Sequence, residues 1–318
     1  MRAAAFLVAV RRHALLLAVA GAALAPWALS GYQTFQLSQL MIFVIALVGL
    51  NLLTGYCGQL SLGHGAFYAL GAYGAVVLLN AWGWPWWAAL PCATAISFVV
   101  GFAFGWPALR LEGPYLALAT FALTIAVPQI LKHEALTPWT GGVQGINLPP
   151  ITPPAGWHLG SDYWFYLVCL GCAASCLALM KNLVEGRMGR ALVALRDNPI
   201  GATAMGVNRP LTTSIVFGVS AMATGLAGAL SAFATQFISP DGFTAFLSIS
   251  LLVGAIVGGL GTLSGPLWGA IFIQFMPRMA EGISKAAPWA IYGAVLMLVI
   301  YVAPGGIAGG LKLRRNRR

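Results

Sequence analysis

A serine and a histidine three residues apart, a second serine, and three cysteines on one helical face are the groups whose spacing invites chemistry. Ser61 and His64 stand in GYCGQLSLGHGAFYALGAYGA (55–75), and Ser264 sits in an LSG triplet. A hydrolase needs a serine activated by a positioned base, yet neither serine lies in a recognisable nucleophile motif. Cys169, Cys172 and Cys176 follow i, i+3, i+7 spacing, but within an apolar run that offers no nearby fourth ligand. They read as small packing residues, and five scattered cysteines do not make a disulfide framework. The GxxxxGK[ST] loop that cradles nucleotide phosphates is missing from the sequence. The chain is therefore expected to be no enzyme and to carry no cofactor of its own.

The elements that must hold these groups are set by composition. Of 318 residues, 59% are hydrophobic and 8% charged, against about 25% charged in soluble domains. That composition describes an all-α, polytopic integral membrane protein. A crossing needs about 20 mostly apolar residues, and such runs fill the length as one membrane domain spanning 1–318. Apolar runs bounded by Gly, Pro and charge place helices at about 14–30, 36–54, 62–80, 86–106, 114–131, 162–180, 211–232, 246–261, 264–277 and 287–303. This makes about ten segments, some short or broken. The N-terminus resembles a secretory signal, but its apolar stretch runs on through Trp27 and Leu29 and is expected to stay as the first helix.

The formal charge of +10 comes from Arg2, Arg11 and Arg12, from residues 181–209 and from residues 312–318. Clusters at the ends of apolar runs are what the positive-inside rule produces, so topology explains the charge and nucleic acid is not an expected partner. Both termini, the 110–113 loop and the 181–210 loop then fall in the cytoplasm. The 132–161 stretch falls outside, with Trp139, Trp157 and Trp164 at headgroup level. Parity requires two elements in 246–277, broken at GTLSGP (261–266), because a single crossing would carry the basic tail outside.

All seven carboxylates, Glu112, Glu134, Asp162, Glu185, Asp197, Asp241 and Glu281, fall in predicted loops or at helix ends. An ion-coupled carrier generally keeps one within the membrane, so this placement argues against proton- or sodium-driven transport. Unwound carbonyls can hold sodium without carboxylates, however. Six glycines in 55–75 each cost a helix roughly 1 kcal/mol against Ala, so something must offset them. Gly254, Gly258, Gly261, Gly265 and Gly269 would line one face if helical, and Gly101 with Gly105 makes a small-xxx-small pair for close helix approach. In the 181–210 loop, Asn198 is an N-cap, Pro199 a first helical residue and Gly206 a C-terminal stop. These frame a helix of about seven residues, too short to stand alone in water.

Six stretches together resemble the permease subunits of ABC importers for branched-chain amino acids: GLNLLTGYCGQLSLGHGAFYALGAY (49–73), GPYLALATFALTIAVPQIL (113–131), TGGVQGI (140–146), GRALVALRDNPIGATAMGVN (189–208), GLAGALSAFATQFISPDGF (225–243) and VGGLGTLSGPLWGA (257–270). The resemblance implies a subunit of the cytoplasmic (inner) membrane that passes Leu, Ile or Val. It implies as partners a second homologous permease, two cytoplasmic ATPases that bind the ATP, and an extracytoplasmic solute-binding protein. It places Gln59, Ser61, Gly63, His64 and Gly65 around the translocation pathway, where the polar groups either meet solute or only hold the packing. It makes the loop helix a coupling helix headed by Arg196, Asp197, Asn198 and Pro199 and closed by Gly206. Asp241 either meets the binding protein or caps a helix. Relatives serve urea, short amides and aromatic acids, so the solute stays open. An ion-coupled carrier or channel is the alternative from another class.

Overall fold

The computed structural model describes residues 21–108, 111, 113–153, 160–283, 288–303 and 305–310. Its long elements are helices, because in lipid each backbone polar group must find its partner within the protein. They are α1 (Gly31–Leu50, continued by a π-helical turn at Asn51–Tyr56), α2 (His64–Asn80), α3 (Trp86–Ala108), α4 (Pro114–Leu131), α5 (Ser161–Glu185), α6 (Arg187–Asp197), α7 (Pro199–Ala204), α8 (Arg209–Thr235), α9 (Ala245–Gly258), α10 (Gly265–Ile283) and α11 (Pro288–Val302). Local signals start several of them. Ser30 opens α1 with a reciprocal capping box to Gln33. Asn208 caps α8 by accepting from Leu211 N at 3.1 Å.

At the centre stands α8, packed against α1, α2 and α3. The α2–α8 crossing is one of backbones. A Cβ on Gly71 would overlap the Gly225 carbonyl, and one on Gly228 would overlap the Tyr68 carbonyl. The expected close approach at Gly101 and Gly105 is present, against Ala221 and Ser214 of α8. By contrast α4 and α5 leave large apolar side chains such as Tyr115, Leu118, Ile125 and Leu179 exposed, as lipid-facing helices do.

Among the described residues six helices are long and apolar enough to cross a membrane, which makes this a multi-pass membrane protein with fewer such helices there than the ten expected of the chain. Of the described helices, α2 and α11 fall short in length, and α10, at 19 residues, falls short in hydropathy because it carries Gln274, Arg278 and Glu281. At 1.5 Å per residue, α2 reaches about 25 Å and α11 about 22 Å, short of a hydrocarbon core of about 30 Å. The first part of the expected 14–30 helix, Trp157, part of the 110–113 loop, and the basic termini lie outside the described residues. The described end of that helix is fastened to α5, where the hydroxyls of Tyr163 and Tyr166 donate to the carbonyls of Ala23 (3.0 Å) and Ala22 (2.9 Å).

Residues 246–277 form two helices, as parity required, and the break falls at 259–264. The glycine series therefore lines no single face. Gly254, Gly258, Gly265 and Gly269 meet one another across the α9–α10 hairpin instead, with Gly258 against the Gly265 carbonyl and Gly269 against that of Gly254. Gly261, at φ +70°, belongs to the turn. Packed along α1, α10 has its start near Asn51 and its far end beside Tyr32, whose ring lies under Arg278.

The 181–210 connection departs from expectation. Helix α5 runs on to Glu185, and a second amphipathic helix, α6, precedes the capped short one. Gly189, Leu192 and Leu195 of α6 face inward; apolar residues spaced three apart among arginines are easily passed over when only unbroken apolar runs are counted. At the opposite end of the bundle, β1 (Ile146–Asn147) pairs antiparallel with β2 (Phe237–Ile238). Beside this ladder Lys132 meets Asp241 at 2.5 Å.

Candidate functional site

Between Tyr56 and His64 the chain leaves helix, and its polar backbone is met by hydroxyls from other helices. Leu62 N donates to Thr120 Oγ1 at 2.9 Å, and Thr124 Oγ1 donates to Leu62 O at 2.8 Å. One residue into α2, Gly65 N donates to Ser248 Oγ at 2.8 Å. A side chain on Gly65 would meet that oxygen at 2.5 Å, and one on Gly63 would meet Thr120 at 3.1 Å. The glycines are thus offset by hydrogen bonds that only a close approach allows.

His64 lies at the centre of this break, 1% exposed. Its Nδ1 is 3.2 Å from Ser61 Oγ and its Nε2 is 2.7 Å from Ser220 Oγ. Ser220 donates its single proton to Gly49 O at 2.7 Å, so it must accept from Nε2–H, which leaves Nδ1 to accept from Ser61. Ser61 in turn accepts from Gly63 N at 3.3 Å. Every donor in this run has an acceptor when the ring is neutral. Ser61 and His64 have the relation of nucleophile to base, but both are sealed from solvent. Of the five candidate pathway residues, Ser61, Gly63, His64 and Gly65 are buried and Gln59 is half-buried.

Sequence reasoning missed Asn51, the residue that joins the two breaks. Its Oδ1 accepts from Gly261 N at 2.8 Å and its Nδ2 donates to Thr262 O at 2.7 Å. An asparagine deep in an apolar run, 1% exposed, was the signal, since a buried amide requires partners.

In the connection between α5 and α8, Asn198 caps α7 by accepting from Gly201 N at 2.9 Å, and Gly206 takes φ +89° just past its end. Arg196 binds Asp197 Oδ1 through Nε at 3.0 Å and turns Nη1 to the Gly55 carbonyl at 3.1 Å. Ile200 and Met205, 84% and 87% exposed, project apolar surface from this polar connection, and sequence reasoning had not singled them out. At the opposite end, Asp241 is tied to Lys132.

The family model described as branched-chain amino acid transport system / permease component matches residues 33–304. The chain belongs to that family. The permease is 30% identical over 288 residues to the high-affinity branched-chain amino acid transport system permease protein LivM of Salmonella typhimurium, covering 83% of this chain and 67% of the relative. It is 23% identical to LivH of Escherichia coli K12, covering 84% and 91%. Among solved structures, PsaBC from Streptococcus pneumoniae in complex with Fab aligns with a TM-score of 0.50 at 12% identity, over 92% of the permease and 99% of that chain. This last likeness is one of fold.

Proposed function

We propose that this permease is one membrane subunit of an ABC importer that takes branched-chain amino acids across the cytoplasmic membrane. A separate chain hydrolyses the ATP. The observation that carries the reading is the family match across 33–304 together with relatives named for branched-chain amino acid transport. The importer contains a second homologous permease, two ATPase subunits and an extracytoplasmic solute-binding protein. The membrane domain spans the whole chain and crosses about ten times with both termini inside. The short helices count as crossings because α9 and α10 run between the level of Gly55 and the opposite end of the bundle, where Arg278 lies over Tyr32.

On this reading 181–210 is the coupling connection. Arg196, Asp197, Asn198, Pro199 and Gly206 shape it, and Ile200 and Met205 supply its apolar contact with an ATPase. The 57–65 break borders the pathway, with Gln59 nearest to it and the buried Ser61, Gly63, His64 and Gly65 bracing it. Asp241 lies on the outer side, where the binding protein docks.

The test is uptake of radiolabelled leucine into proteoliposomes holding this chain and its partners, with and without internal ATP and external binding protein. Uptake that needs both supports the importer and its solute class. ATP-dependent uptake of urea or an aromatic acid in place of leucine would keep the machine and change its cargo. Uptake by this chain alone would overturn the reading in favour of a carrier or channel.

A further inference from the structure

The last carbonyls of a helix have no partner within it, and the π-turn that ends α1 leaves the Gly55 carbonyl in that position. Arg196 caps it through Nη1 at 3.1 Å, a favourable place for a cation at a helix C-terminus. Two neighbours flank the Arg196 side chain. Asp197 holds its Nε edge, and Gly58, at φ +74°, lies so close to the Arg196 stem that a Cβ there would come 2.5 Å from Cγ. Behind Gly55 lies the α9–α10 break, with Gly55 backed onto Gly261 and Asn51 clasping Gly261 and Thr262. Arg196, Gly55, Gly261 and Asn51 thus form one contiguous path from α6 to both helix breaks. The turn that ends α1 is π-helical, a rare interruption of α-helix that is frequent at functional sites.

We propose that Arg196 is an inward-facing positioning residue that, with Asn51, makes the α6–α7 connection, the π-turn of α1 and the α9–α10 break move as one body. The docking surface then lies on Ile200 and Met205, whereas Arg196 converts a displacement of that surface into a displacement of both broken helices. The consequence for transport rests on the importer reading; the mechanical link does not.

Two measurements on the full chain separate these. In lipid nanodiscs, hydrogen exchange should rise about tenfold in peptides covering 53–58 and 259–264 for R196A, and R196K, which keeps a cation in reach of the carbonyl, should restore most of the protection. R196M keeps an apolar stem against Gly58 but offers no donor to the Gly55 carbonyl; it should give the same pattern as R196A, which keeps the test open if R196A fails to insert. In the assembled complex, leucine moved per ATP hydrolysed should fall about tenfold for R196A while the ATPase still co-purifies. Exchange that changes only within 187–206 overturns the link, and so does loss of the ATPase from R196A with exchange unaltered at 53–58. If the wild-type complex moves no leucine, the importer reading fails and the exchange measurement still decides the link.

Discussion

His64 Nε2 stands 2.7 Å from Ser220 Oγ, and this contact locks α2 to α8 at the start of the helix. Replacing the ring leaves the buried Ser61 hydroxyl without an acceptor, takes from Ser220 the donor it accepts from, and leaves a cavity. H64A should lose about 2–4 kcal/mol of stability, read as a lower melting temperature in detergent. Uptake should then fall only in proportion to the folded protein. A raised KM for leucine at unchanged melting temperature would instead put His64 in contact with solute.

Asn51 should be equally sensitive for a different reason. N51L keeps the branched outline, with somewhat larger tips, but orphans the Gly261 amide and the Thr262 carbonyl, at about 1–3 kcal/mol for each group. A chain that melts like the wild type would show that water reaches the break and replaces the amide.

Two glycine substitutions should separate crossing points from open helix faces. G228A drives a methyl into the Tyr68 carbonyl and should cost roughly 1–3 kcal/mol or more. G171A, with nothing within 4 Å of the added atom, should be neutral or gain up to about 1 kcal/mol from helix propensity. Thermal melting of both variants is the check.

Ile200 and Met205 are exposed, so I200D and M205D should leave the melting temperature of the lone chain within about 0.5 kcal/mol equivalent. Each should sharply lower ATPase co-purification. Retention of the ATPase by the double variant would move the docking surface elsewhere.

The Lys132–Asp241 pair is partly solvated, 24% and 64% exposed at the side chains, and such pairs contribute about 0–1 kcal/mol. D241N should therefore melt nearly as the wild type does. Its effect should be seen in the dependence of uptake on binding-protein concentration. An unchanged dependence would leave Asp241 as a local tie between α4 and the loop after β2.

The short helix α7 was legible because its signals are local: an Asx cap at Asn198, a proline at the first turn and a glycine past the end each act through neighbouring backbone. The break at 259–264 was legible through charge parity. Helix α6 was overlooked because its inward face is three residues spaced by arginines. The partners of His64 and the role of Asn51 were beyond reach for another reason. Ser220 lies 156 positions from His64, and Gly261 lies 210 positions from Asn51. No local preference in a sequence encodes such a pairing.

The solvent and the class of machine were written in short stretches of the chain. Too few charges for water, apolar runs of helical length and motifs in family order all act within short windows, so they survive without coordinates. What offsets the glycines of 55–75 came to light in the packing of distant helices. The fold also showed that the 254–269 glycines face one another across a hairpin, and that Arg196 turns inward to α1. Those outcomes depend on which backbones touch, and close packing of distant helices settles that.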